Sequence, residues 1–146
     1  MGIWAGIDPG ESTGLAIWDG ASRAFLEVAT LPLWQALERV GAWAVQCKEQ
    51  GTPLVVVFED ARKRTWFPRE KSNAEYRGRL MGAGAAKRDA KIWEEYLTAH
   101  GIAFEARKPQ PGMTKWDADY WMRITGWTGR TSNHARDAAL LVFGRK

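Results

Sequence analysis

The apolar residues of this chain follow two periods, one of about two and one of about 3.6, and the switches between them outline the fold. Residues 2–8 (GIWAGID) form an apolar run that ends on an acid; Pro9-Gly10 breaks it and Gly14 closes the turn. A second strand follows over residues 13–19, with Asp19-Gly20 as the signal of a two-residue type I′ hairpin, and a third over residues 24–30. These three predict an antiparallel meander. From Pro32 to Gly51 the pattern turns helical, with Leu33, Leu37, Val40, Trp43 (or Ala44) and Cys47 on one face. Thr52-Pro53 punctuates. Leu54 to Phe58 is a continuous apolar run, β-branched at its centre, which predicts a strand buried on both faces. It ends on Glu59 and Asp60.

Residues 61–75 show no clear period and read as a long functional loop. A helix then runs to His100, interrupted at Gly78, Gly82 and Gly84, with Ile92, Trp93, Tyr96 and Leu97 as its buried stripe and Gly101 beyond its end. Gly82 and Gly84 do not complete a dinucleotide fingerprint and are read as packing glycines. Ile102–Ala106 is a fifth strand, Trp116–Thr125 a helix, and His134–Phe143 a last helix capped by Ser132 or Asn133. The order βββαβαβαα predicts one α/β domain over residues 1–146, a mixed five-stranded sheet flanked by helices.

Charge adds a partner to this picture. Between Ala61 and Lys91 ten Lys and Arg face three acids, so that segment carries +7 of a chain whose net charge is +4, and the remainder is −3. A basic segment on a mildly acidic body favours a polyanion, because its cations release counterions from phosphates. The single cysteine excludes an internal disulfide and a cysteine-built zinc site. No apolar run approaches the ~18 residues of a membrane span, and the N-terminus lacks the pattern of a signal peptide. The expectation is a cytoplasmic protein with no membrane partner, of a bacterium or a phage-infected host.

The acids suggest the chemistry. Asp8 closes the first strand, Glu59 closes the central strand, and Asp137 lies early on the last helix with His134 three residues before it on the same face. Acids at the ends of buried strands are costly unless paired, and two on neighbouring strands repel. A divalent cation answers both. Mg²⁺ takes oxygen ligands, and a carboxylate-rich site of this kind serves phosphodiester cleavage. Each residue also has a plainer reading: Asp8 as a turn residue, Glu59-Asp60 as a strand exit, His134 and Asp137 as charges complementing a helix dipole.

Gly6-Ile7-Asp8-Pro9-Gly10-Glu11-Ser12-Thr13-Gly14 resembles the first motif of RuvC-type Holliday junction resolvases, including their phage-encoded relatives. Val56-Val57-Phe58-Glu59-Asp60 is similar to their second acidic strand, and His134-Ala135-Arg136-Asp137-Ala138-Ala139 to their closing helix. The resemblance covers most of the chain. It implies an RNase H-like fold and a homodimeric, Mg²⁺-dependent endonuclease, with Mn²⁺ as substitute, that resolves four-way DNA junctions by paired cuts. Asp8, Glu59 and Asp137 would be metal ligands, with His134 as a further ligand or proton-transfer group. Asp60 ranks behind Glu59, since alternation aims it away.

The family carries an aromatic residue soon after the second acid. Here Trp66 and Phe67 occupy that region, among Arg62, Lys63, Arg64, Arg69 and Lys71, with Arg77 and Arg79 beyond. Such interleaving suits phosphate contact plus base stacking. Lys108 and Lys115 are the candidates for the family's lysines, Lys115 preferred as the catalytic one and Lys108 as a DNA contact. The Trp-rich stretch from Lys108 to Arg130 departs from the bacterial pattern. Trp34, Trp43, Trp93 and Trp121 are candidates for a dimer surface.

Three other functions share parts of this pattern. A related nuclease of flaps, branched DNA or RNA–DNA hybrids would use the same metal site. Actin-like ATPases and sugar kinases have a similar first loop but need a second lobe. A binding-only relative would have lost an acid.

Overall fold

The computed structural model describes residues 1–65, 72–109 and 116–146. Five strands, β1 (Ile3–Asp8), β2 (Ser12–Asp19), β3 (Ala24–Pro32), β4 (Leu54–Glu59) and β5 (Ala103–Arg107), form one sheet in the order β3-β2-β1-β4-β5. The pairs β1–β2 and β2–β3 are antiparallel; β1–β4 and β4–β5 are parallel. The mixed sheet and its flanking helices agree with the expected architecture.

Among the described residues four helices cover the sheet: α1 (Leu33–Gln50), α2 (Asn73–Ala99), α3 (Ala118–Thr125) and α4 (Asn133–Leu140). Strand alternation sorts the core into two layers. Ala5, Ile7, Leu15, Ile17, Val56 and Phe58 point to one face, where Val40 of α1 and Trp93 and Leu97 of α2 close over them. Ala16, Trp18 and Val57 point to the other, under α4 and Trp121 of α3. Cys47 is buried in α1, and burial pushes its thiol up, so it stays a protonated core residue.

The structure departs from the sequence pattern in four places. The β2–β3 connection is not a two-residue hairpin. Asp19 accepts hydrogen bonds from the Ala21 N–H and the Ser22 hydroxyl, and Arg23, at φ 54°, takes the left-handed position. Gly20 instead packs against Gly2 and Lys146. Second, α2 is continuous through Gly78, Gly82 and Gly84, because Ser72 caps its start and its second half is anchored in the core. Third, a single 3-10 turn, Ala61–Lys63, follows β4 at the start of the supposed loop. Fourth, Trp93 and Trp121 are fully buried and Trp43 packs on the core, so of the four tryptophans offered for a dimer surface only Trp34 is exposed.

Candidate active site

Asp8 and Glu59 are the last residues of two adjacent parallel strands. The register pairs Ile7 with Phe58, so the next step sets Asp8 beside Glu59. Ile7 and Phe58 face the α1–α2 layer, and alternation therefore turns both carboxylates toward the α4 layer.

Two glycines bring α4 down onto that face. A Cβ at Gly6 would lie 2.1 Å from the Ala138 carbonyl oxygen, and one at Gly14 1.9 Å from that of His134. Only hydrogen fits at these positions. Gly14 is also the register partner of Asp8. The helix start is held by Ser132, which accepts from the Ala135 N–H at 3.2 Å and shares a hydrogen bond with the Thr30 hydroxyl of β3. As a result His134 Nδ1 lies 3.0 Å from Asp8 Oδ2. Asp137, three residues on, is half-buried on the same side of the helix.

The residue after Glu59 goes elsewhere. Asp60 points to the opposite layer and is buried. Both its oxygens are taken by Arg62: the backbone N–H and Nε donate to Oδ1 at 3.0 and 2.9 Å, and Nη2 to Oδ2 at 2.9 Å. Nη2 also meets Glu94 of α2 at 2.5 Å. The Arg62 hydrogen bonds outweigh burial and hold the Asp60 carboxyl below the usual carboxylate range. This pair is a clamp between the 3-10 turn and α2. Lys63 has a similar duty, donating to the Ala106 carbonyl of β5 at 2.7 Å.

Two residues that the sequence pattern did not single out lie at the site. Arg107 is the register partner of Glu59 on β5 and shares its face. Arg136 is buried on α4 between His134 and Asp137. Its guanidinium donates to the Trp116 carbonyl, to the carbonyl and hydroxyl of Thr131, and to Asn133 Oδ1. It ties the segments before α3 and α4 to the helix that carries the candidate ligands. Its spacing within His-Ala-Arg-Asp was visible, but nothing local marks a buried arginine.

Of the predicted DNA contacts, Arg77 and Lys108 are exposed, Lys108 one residue past the end of β5. Trp66, Phe67, Arg69, Lys71 and Lys115 lie outside the described residues.

The donor set of two carboxylates on neighbouring strand ends, with a carboxylate and an imidazole one helical step away, suits an oxygen-seeking divalent ion. Among the described residues, no three His, Cys, Asp or Glu side chains are already gathered around one ion position. No described helix is long and apolar enough to cross a membrane.

No protein-family model matches the chain, and no curated protein sequence matches it. Among solved structures, it is similar to RuvC of Thermus thermophilus, with a TM-score of 0.50 and 17% identity, over 97% of this chain and 92% of that one. The sheet order, the helices on its two faces and this likeness together show that the chain has an RNase H-like fold.

Proposed function

We propose that this protein is a metal-dependent endonuclease acting on branched DNA, with four-way junctions as its first substrate. The observation that carries the reading is the convergence of Asp8, Glu59 and the start of α4 on one corner of the sheet, with His134 in contact with Asp8. RuvC, whose fold the chain shares, lends the junction its place as first substrate.

Asp8, Glu59 and Asp137 would hold Mg²⁺ or Mn²⁺, with His134 as fourth donor. When bound, the ion supplies positive charge to the attacking and leaving oxygens of the phosphodiester. The chain's own groups do the rest. Gly6 and Gly14 set the height of α4, and Ser132 fixes its start, which keeps His134 at Asp8. His134 would act either as that further donor or as the group that holds or moves a proton, beside Asp8. Arg107, beside Glu59, is placed to meet substrate phosphate. Trp66 and Phe67 would stack on unpaired bases at the branch point.

A four-way junction cut symmetrically requires two sites, so the active form would be a homodimer. Trp34 on α1 and Leu80 and Met81 on α2 are exposed apolar positions that a second copy could cover.

The test is cleavage of a synthetic four-way junction in Mg²⁺, beside a flap, a linear duplex and an RNA–DNA hybrid. Paired symmetric nicks in the junction, absent from Asp8→Asn, are expected. Cutting of the flap or hybrid instead would keep the metal site and change the substrate. No cutting in Mg²⁺ or Mn²⁺ would overturn the nuclease reading.

A further inference from the structure

The side of α4 that meets the sheet is nearly smooth. Its buried apolar residues are Ala135, Ala138 and Ala139, and they rest on β1 and β2, the strands that carry Gly6 and Gly14. Methyl groups let the helix come close, and the two glycines set its height. They do not set its rotation, because rotation is fixed where side chains interdigitate with a neighbour, and alanines offer little to interlock. Rotation matters for His134 and Asp137. Helical side chains reach roughly 5–6 Å from the axis, so a turn of ~10° displaces their tips by ~1 Å.

Arg136 supplies the missing constraint. All three of its guanidinium nitrogens donate: Nε to the Trp116 carbonyl at 3.0 Å, Nη1 to the Thr131 carbonyl and hydroxyl at 2.9 and 2.8 Å, and Nη2 to Asn133 Oδ1 at 2.5 Å. Trp116 and Thr131 lie off the helix on two different segments, and the donor fork is planar and rigid, so the bonds define one rotation of α4. Every acceptor is neutral. Among the described residues no carboxylate pairs with Arg136, although it is buried, and residues 110–115, which adjoin Trp116, contain no acid. Burying a charge without an ionic partner is costly, and neutral donors could satisfy the same oxygens at lower cost. Stability therefore does not call for arginine at this position, whereas a rigid multi-donor fork does.

Resting on the metal-site reading above, we infer that Arg136 is a positioning residue of the candidate active site: it locks the rotation of α4 and thereby aims His134 and Asp137 toward Asp8 and Glu59. It acts through those side chains and not on substrate.

The test is Mn²⁺ affinity, measured by electron paramagnetic resonance without DNA, beside junction cleavage in Mg²⁺. Arg136→Lys keeps the charge and loses the fork. It should bind Mn²⁺ about 10–100-fold more weakly, the usual cost of losing a group that orients metal ligands, and lower kcat while KM for the junction stays unchanged. Thr131→Val removes one acceptor, leaves the guanidinium in place, and should shift both quantities the same way by less. Because Arg136→Lys also loses stability, it is repeated in a Gly78→Ala background, where nothing lies within 4 Å of the added Cβ and the helix gains propensity. Mn²⁺ affinity should stay low there. If it recovers together with the melting temperature, Arg136 is structural only and the inference fails. Wild-type Mn²⁺ affinity in Arg136→Lys would also overturn it, since charge without the fork would then suffice. The two readings fail separately. A wild type that cuts nothing, yet binds Mn²⁺ in a way that Arg136→Lys weakens, would sink the nuclease and leave the lock standing. A wild type that cuts, beside an Arg136→Lys that binds Mn²⁺ normally, would do the reverse. A wild type that binds no Mn²⁺ would remove the metal site and the lock with it.

Discussion

Gly14→Ala should cost far more activity than stability. Gly14 is in the interior of β2, opposite Asp8 and beneath the first turn of α4. Its new Cβ would lie 1.9 Å from the His134 carbonyl oxygen and 2.4 Å from the carbonyl carbon. Real Cβ contacts begin at 3.0 Å, so α4 must retreat by about 1.1 Å. The obstacle is backbone and cannot rotate aside. Overpacking of this kind costs about 1–3 kcal/mol, or roughly 3–10 °C in melting temperature for a chain of this size. The same retreat would stretch the 3.0 Å contact between His134 and Asp8 past hydrogen-bonding distance. A misplacement of ~1 Å at a reacting centre is worth on the order of 10²-fold in rate. The assay pairs urea unfolding at 25 °C with junction-cleavage rates at saturating Mg²⁺. Gly78→Ala is the control, since nothing lies within 4 Å of a Cβ there. It should gain about 0.5–1 kcal/mol from helix propensity. If Gly14→Ala cuts at the wild-type rate with stability within ~0.5 kcal/mol of wild type, α4 does not rest on that glycine and the site geometry is wrong.

Other substitutions probe the remaining parts. Asp8→Asn should abolish cleavage yet keep junction binding in EDTA, and wild-type turnover in that variant would remove Asp8 from the site. The depressed Asp60 carboxyl contributes stability that is present above its unfolded value of about 3.9 and is lost as pH falls through the lower folded value. Urea titrations from pH 6 to pH 3 should therefore show a smaller acid-side loss in Asp60→Asn than in wild type; parallel curves would contradict the clamp. Arg136→Met should destabilise by roughly 2–4 kcal/mol, because it strands the Trp116 and Thr131 carbonyls, and a change within ~0.5 kcal/mol would show that water replaces the guanidinium. Trp66→Ala should weaken junction binding by about 1–3 kcal/mol, with little effect on duplex; equal losses on both would refute a stacking role.

Local pattern carried much of this molecule. An apolar run that stops on an acid located the ends of β1 and β4, and alternation alone sent Asp60 away from Glu59. The stripe through Trp93 and Leu97 fixed the buried face of α2, and Ser132 announced the start of α4. These features depend on neighbours within a few residues, which is the range over which period and capping act. Only the tertiary structure decided what was brought together across the chain. Parallel pairing of β1 with β4 set Asp8 beside Glu59, and pairing of β4 with β5 added Arg107. In sequence Gly6 reads as a strand glycine and Gly14 as the close of a turn; both prove to be the floor under α4. The tryptophans read as surface candidates were settled by which layer each faced, and Trp93 and Trp121 went to the core. Sequence period fixes which way a side chain points from its own element, whereas the partner it meets is chosen by non-local pairing and packing, which no local window contains.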